Sequence, residues 1–69
     1  MKTFKLTLFN PITTSVRRFV YTFEWDYTNH CWFTDGFGAY WGNPINAVKH
    51  MGECLCRKGE YVTIKEVAR

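Results

Sequence analysis

The chain has 69 residues, of which 46% are hydrophobic and 19% aromatic, and it carries a formal charge of +3 with a pI near 8.9. A chain of this length supports one hydrophobic core, so we expect a single domain over residues 1–69, and the apolar content excludes a disordered polymer. The apolar runs are far shorter than the about 20 residues of a membrane span, so we expect no membrane partner.

The cysteines Cys31, Cys54 and Cys56 are odd in number, and no charged segment followed by an apolar stretch opens the chain. Secreted small domains use paired cysteines and a leader segment. This usage therefore predicts a cytoplasmic protein with reduced thiols.

Two segments, residues 3–9 and 16–26, alternate apolar and polar residues at the period of a half-buried strand. Their apolar sides are formed by Phe4, Leu6 and Leu8 and by Phe19, Tyr21, Phe23 and Trp25, respectively. Residues 27–29, Tyr-Thr-Asn, predict a chain reversal because Asn tolerates the left-handed conformation. A third strand is predicted at residues 30–34, with Phe33 on the apolar face.

Asn43 and Pro44 mark the start of a helix, because Asn is a favourable N-cap and Pro is favoured at the first helical position. An apolar stripe follows, and Arg57-Lys58-Gly59 predicts an end near Lys58. Residues 60–67 return to strand propensity.

The predicted order is β-β-β-α-β. It describes an α+β fold with a single small antiparallel or mixed sheet and one helix packed on one face. A right-handed crossover through the helix would place the last strand parallel to the third strand and to the first, beside which it can pair.

Residues 36–38, Gly-Phe-Gly, match part of the RNA-reading segment of RRM domains, but the flanking residues depart from that pattern. The spacing of Gly36, Gly38 and Gly42 also differs from that of a dinucleotide-binding loop. We interpret Gly36 as part of an Asp-Gly turn, and Gly38 and Gly42 as positions where the backbone passes close to the sheet.

We expect no catalytic set, no metal site and no cofactor. Cys54 and Cys56 are two residues apart on a predicted helix and would point about 200° away from each other, so they cannot share one zinc ion. A cysteine nucleophile paired with His30 or His50 would lack an identifiable orienting acid.

Three Trp, four Tyr and six Phe side chains exceed what one helix on a small sheet can cover, since each buries about 150–250 Å². We therefore predict a partner-binding surface of exposed rings with basic residues at its edge, because Trp, Tyr and Arg dominate the binding energy of protein interfaces. Its predicted residues are Trp32, Phe37, Tyr40, Trp41, Arg17, Arg18 and Lys5.

A nucleic-acid-binding module that stacks single-stranded bases on the same rings is the second interpretation. The sequence leaves open whether residues 36–42 bind the partner or fold back onto the core.

In its size, its lack of enzyme motifs, its cysteine usage and its single-sheet design, the chain resembles the small inhibitors encoded by phages and mobile elements, such as anti-CRISPR proteins. The resemblance lies in this overall character. It implies a protein of the host cytoplasm that blocks a host defence protein or ribonucleoprotein complex sterically, without chemistry.

Overall fold

The computed structural model describes residues 1–67. Within this range the elements are β1 (Lys2–Phe9), β2 (Val16–Asp26), β3 (Cys31–Thr34), β4 (Gly38–Tyr40), α1 (Pro44–Leu55) and β5 (Tyr61–Val67). The strands form one antiparallel sheet in the order β4-β3-β2-β1-β5. The predicted α+β class, with a single small sheet and one helix, is confirmed.

The predicted parallel orientation of the last strand is wrong. β5 does pair with β1, but the two strands are antiparallel, with Leu6 opposite Ile64. The cause is β4, a three-residue strand that the sequence analysis does not identify. It reverses the chain once more before α1, so β5 runs parallel to β4 and antiparallel to β1.

β2 has eleven residues and is shared between two partners. Val16–Phe23 pairs with β1, whereas Glu24–Asp26 pairs with β3. The end of β2, together with β3 and β4, therefore extends past β1 as a three-stranded arm. The molecule measures 46 × 25 × 16 Å, and its radius of gyration of 13.1 Å exceeds the about 11 Å of a compact chain of this length.

The core lies at the end of the sheet away from the arm's tip. Phe4, Leu6 and Phe23 of the sheet are fully buried together with Ala47 and Val48 of the helix. Because α1 packs chiefly against β1 and β5, it leaves much of the arm without a covering element.

The helix begins where the sequence predicts. The Asn43 side chain accepts a hydrogen bond from the Ile45 N–H at 3.2 Å, and Pro44 occupies the first turn. The helix ends at Leu55, however, and not near Lys58. Cys56 already has extended backbone angles, and Gly59, with φ at +89°, lies in the turn to β5.

Gly52 allows the helix to approach the sheet closely. A Cβ atom at this position would lie 2.9 Å from Val62 Cγ1 and 3.1 Å from Leu6 Cδ1. Any side chain here must therefore push α1 away from β1 and β5.

We expect Gly52→Val to lower the free energy of unfolding by about 1–3 kcal/mol, the usual effect of overpacking a core contact. Glu53→Val is the matched control, because it introduces the same β-branched residue at the adjacent, exposed helix position. Urea denaturation followed by circular dichroism measures both. Equal losses in the two variants would contradict the close-packing role of Gly52.

Arg17 joins three elements at the end of the molecule opposite the arm. Its Nε and Nη2 atoms donate to the two carboxylate oxygens of Glu60 at 3.0 and 2.6 Å, and Nη2 also donates to the Leu55 carbonyl at 2.7 Å. The backbone N–H of Arg57 donates to the same carboxylate at 2.7 Å. These bonds connect β2 with the end of α1 and the start of β5.

The hydrogen bonds from Arg17, followed by that from the Arg57 backbone, lower the pKa of Glu60 to about 2. A carboxylate with a depressed pKa stabilises the fold above its ordinary pKa, near 4.5, and loses that contribution as the pH falls toward its folded-state pKa.

We therefore expect the stability difference between the wild type and Glu60→Gln to be constant above about pH 5.5 and to shrink between about pH 4.5 and 2. Thermal unfolding of both proteins across this range measures the difference, and the remaining carboxylates cancel in the comparison. A difference that does not change with pH would show that the Arg17–Glu60 pair has no linkage to folding.

Candidate functional site on the two faces of the sheet

The strand register divides the side chains between two faces. Residues directly opposite each other on antiparallel neighbours share a face, and successive residues alternate. We call the face that carries Phe4 and Leu6 the helix face, because α1 packs on it, and the face that carries Lys5 and Thr7 the open face.

The structure distributes the predicted partner-binding residues over both faces. Trp32 lies opposite Trp25 and Tyr40, which places these rings on the helix face. Lys5 and Arg18 lie on the open face. Two of the three cations that the sequence predicts at this surface are therefore separated from Trp32 and Tyr40 by the thickness of the sheet.

Arg17 lies on the helix face and is occupied by its bonds to Glu60 and Leu55. Its guanidinium carbon also lies 6.0 Å from the centre of the Phe19 ring. This residue stabilises the fold, and its side chain is only 24% exposed.

Five rings cross the arm on the helix face, and we call them the aromatic row: Tyr27, Trp25, Trp32, Tyr40 and Phe37. Edge-to-face contacts join them into a group of three and a pair, with centroid distances of 6.4 Å for Tyr27–Trp25, 5.3 Å for Trp25–Trp32 and 5.8 Å for Tyr40–Phe37. Trp32 and Tyr40 occupy directly opposed positions on β3 and β4. The two groups of rings are therefore neighbours on the same face, between the β2–β3 turn and the β3–β4 turn.

Exposure increases along the row toward the tip of the arm. Phe37, Trp32 and Tyr40 are half-buried against the edge of the core, whereas Trp25 is 38% and Tyr27 82% exposed. Phe37 therefore packs against the core. For this residue, the structure agrees with the interpretation that residues 36–42 fold back onto the core. Trp41, which follows β4, is 72% exposed.

Trp25 and Tyr27 are surface rings that the sequence pattern does not predict. The alternation of β2 correctly places Trp25 on the helix face, but α1 does not reach that far along the strand. Phe33 is predicted on the apolar face of the sheet, and this prediction is wrong. It lies opposite Glu24 on the open face and is 47% exposed. In a strand as short as β3, a one-residue difference in register exchanges Phe33 and Trp32 between the faces.

The glycine interpretation agrees with the backbone at Gly36 and Gly42 but is wrong for Gly38, because a Cβ atom at Gly38 would have no atom of residues 1–67 within 4 Å and only its positive φ favours glycine. Gly36 and Gly38 have φ angles of +84° and +94° at the β3–β4 hairpin. A Cβ atom at Gly42 would lie 2.9 Å from the Tyr40 ring, so this glycine allows the chain to pass closely over the row on its way to α1.

A groove of about 500 Å³ lies between α1 and the inner end of the aromatic row. Its walls are mainly apolar. It is lined by Tyr21, Gly36, Phe37, His50, Met51, Cys54 and Leu55. Because Phe37 belongs to both, the groove continues the aromatic row toward the helix.

One thiol and one imidazole border this groove. Cys54 Sγ lies 3.6 Å from His50 Nε2, one helical turn away. Residues 1–67 contain no cluster of three His, Cys, Asp or Glu side chains able to hold a metal ion.

The three thiols differ in their access to solvent, since Cys54 is exposed, Cys56 half-buried and Cys31 buried. We expect iodoacetamide to label Cys54 first and Cys31 only after unfolding, as read by mass spectrometry of tryptic peptides with and without urea. Cys54→Ser should remove the earliest label and leave the order of the other two unchanged. Early labelling of Cys31 in the folded protein would contradict its buried position.

The open face of β1, β2 and β5 is exposed or half-buried along its length. An apolar row at one end consists of Phe9 with Val16 and Tyr61 directly opposite it on the neighbouring strands. Phe9 is 38% and Tyr61 68% exposed.

Three cations occupy the middle of the open face. Lys5 lies directly opposite Lys65, and Arg18 is opposite Thr7, which lies between the apolar row and the two lysines. The salt bridge present within residues 1–67 is Arg17–Glu60, so none of these three cations has a carboxylate oxygen within 4.0 Å there.

The acidic residues of the open face lie further along β2. Val20 on β2 lies directly opposite Lys5. Glu24 is four residues further along β2, about 13 Å from Val20. Asp26 is engaged in the β2–β3 turn, where hydrogen bonds from Asn29 lower its pKa. The middle of the open face is therefore a positively charged surface.

No protein-family model, curated protein or solved structure matches this chain. Within residues 1–67, no helix has the length and apolar character needed to cross a bilayer. The geometry of the two faces is therefore the basis for assigning a function.

Proposed function

We propose that the protein is a non-catalytic binding module and that a partner protein docks on the aromatic row and the adjoining groove. The observation that carries this proposal is the alignment of five rings on one face, from the exposed Tyr27 ring to Phe37 in the lining of an apolar groove beside the helix. A projecting ring edge next to a concave apolar surface is the arrangement that protein interfaces use for their strongest contacts.

The contacts within the row favour binding for a second reason. Trp and Tyr supply large contact areas at a low conformational cost, because each has only two side-chain torsions. Here the edge-to-face contacts already hold Trp25 between Tyr27 and Trp32. Less side-chain entropy is then lost when a partner binds.

The total surface is also large for the mass. The accessible area of 5035 Å² exceeds the about 4,500 Å² expected for a folded monomer of 8.2 kDa. The excess follows from the projecting arm, and it is consistent with surface reserved for a partner.

A protein fits the aromatic row better than a nucleic acid does. Stacked bases need cations nearby to contact their phosphates. Lys2 Nζ lies 5.6 Å from the centre of the Trp32 ring, but Lys5 and Arg18 lie on the opposite face. One neighbouring lysine offers little phosphate binding.

We further propose that the biological role is steric inhibition, as in the phage-encoded inhibitors that the chain resembles. Such a protein would act in the host cytoplasm by occupying a surface of a defence protein or ribonucleoprotein complex. A surface of rings with an apolar groove is sufficient for this role, because occupation of a surface requires no chemical step.

The proposal is tested with Tyr27→Ala, which removes an exposed ring of the aromatic row without opening the core. A host protein captured by the wild type is first identified by cross-linking and mass spectrometry, and its affinity for each variant is then measured by calorimetry. We expect a loss of about 2 kcal/mol or more for Tyr27→Ala, equivalent to about 30-fold or more in Kd. Binding should change little between 50 and 500 mM salt.

Tyr61→Ala is the matched control, since Tyr61 is also an exposed tyrosine, 68% against 82% for Tyr27, but lies on the open face. Its affinity for the partner protein should equal that of the wild type. If Tyr61→Ala loses binding while Tyr27→Ala retains it, the docking surface is not the aromatic row.

A further inference from the structure

We propose that the open face of the sheet binds single-stranded nucleic acid along β1. This site lies on the opposite side of the sheet from the aromatic row and does not depend on the protein-binding function proposed above.

The middle of the open face carries three positive charges. Lys5 and Lys65 face each other across β1 and β5, and like charges in directly opposed positions destabilise a sheet. Arg18 adds a third cation on the neighbouring strand. Among residues 1–67 no carboxylate oxygen lies within 4.0 Å of either lysine, so an anion that binds between them stabilises the pair, and the face is complementary to a polyanion.

A pair of rings lies next to these cations on the open face. Tyr61 and Phe9 are directly opposed one cross-strand row beyond Arg18. The distance from this ring pair to the two lysines is four residues along β1, or about 13 Å. A platform of rings followed by a short series of cations is the arrangement that binds unpaired bases and their phosphates.

Threonine side chains lie between the cations and beyond them on the open face. Thr7 and Thr63 lie beside Arg18, and Thr3 and Thr22 occupy the row beyond the lysines, where their hydroxyl groups are 3.2 Å apart. Hydroxyl side chains are common contacts to phosphate and sugar oxygens.

These features select single-stranded nucleic acid over other anions. An acidic peptide would contact the three cations but would offer no flat π-face to Tyr61 and Phe9. A duplex would offer phosphates, but its bases are already stacked on each other and cannot stack on the two rings.

The test uses the full chain and fluorescence anisotropy with fluorescein-labelled dT12 and U12 between 50 and 300 mM NaCl. For three phosphate contacts we expect the logarithm of the binding constant to fall with the logarithm of salt concentration with a slope near −2, at about 0.7 per contact. Lys5→Gln, Lys65→Gln and Arg18→Gln should each bring the slope about 0.7 closer to zero.

Tyr61→Ala should weaken binding about 5- to 150-fold and leave the slope unchanged, since it removes stacking and no charge. Lys49→Gln is the control for net charge, because Lys49 lies exposed on α1, away from the open face. Tyr27→Ala is the control for the aromatic row. Both controls should bind the oligonucleotides as the wild type does.

The proposal is overturned if the wild type does not bind either oligonucleotide at 50 mM NaCl. It is also overturned if Lys49→Gln brings the slope as close to zero as the open-face variants do. Tighter binding of a 12-base-pair duplex or of a poly-glutamate peptide, with no effect of Tyr61→Ala, would assign the face to a different partner and also overturn it. Loss of oligonucleotide binding with intact protein binding would separate this site from the aromatic row. Circular dichroism of each variant establishes that the fold is retained.

Discussion

The difference in length between β2 and its partner β1 determines the form of this protein. β1 pairs with the first eight residues of β2, and the last three residues of β2 are left to pair with β3. Everything beyond that point, including β3, β4 and their rings, lies on an arm that the helix covers only in part. A β2 that ended with β1 would leave no arm and no aromatic row.

The single helix has twelve residues, and its position over β1 and β5 is held by contacts in its C-terminal half. Gly52 sets the spacing to the sheet by omitting a side chain that would meet Leu6 and Val62. Arg17 fixes the C-terminal end of α1 through the Leu55 carbonyl and the Glu60 carboxylate. With the helix held there, it cannot also cover Trp25 and Tyr27, so those rings remain available to a partner.

The two faces of one thin sheet thus differ in chemistry. The helix face presents rings and an apolar groove, and the open face presents cations, threonines and one opposed pair of rings. The two proposed surfaces therefore use different side chains and lie on opposite sides of the sheet. Each surface is tested by its own variants, so either assignment can fail without the other.

Features encoded by neighbouring residues were determined by the sequence itself. These include the alternation of β1 and β2, the start of α1 at Asn43-Pro44, the turn at Gly36 and the excess of rings over what the scaffold can cover. They sufficed to predict an α+β fold with one sheet and one helix.

The tertiary structure alone decided the direction of β5, the face on which each ring of β3 lies and the separation of Lys5 and Arg18 from Trp32 and Tyr40. The physical reason is that these properties depend on pairing between distant segments. β4 has only three residues, too few to show the alternation of a strand. It nevertheless reverses the chain and so determines the direction of β5. In the same way, local alternation tells which residues share a face, but only the packed position of α1 tells which part of that face is covered.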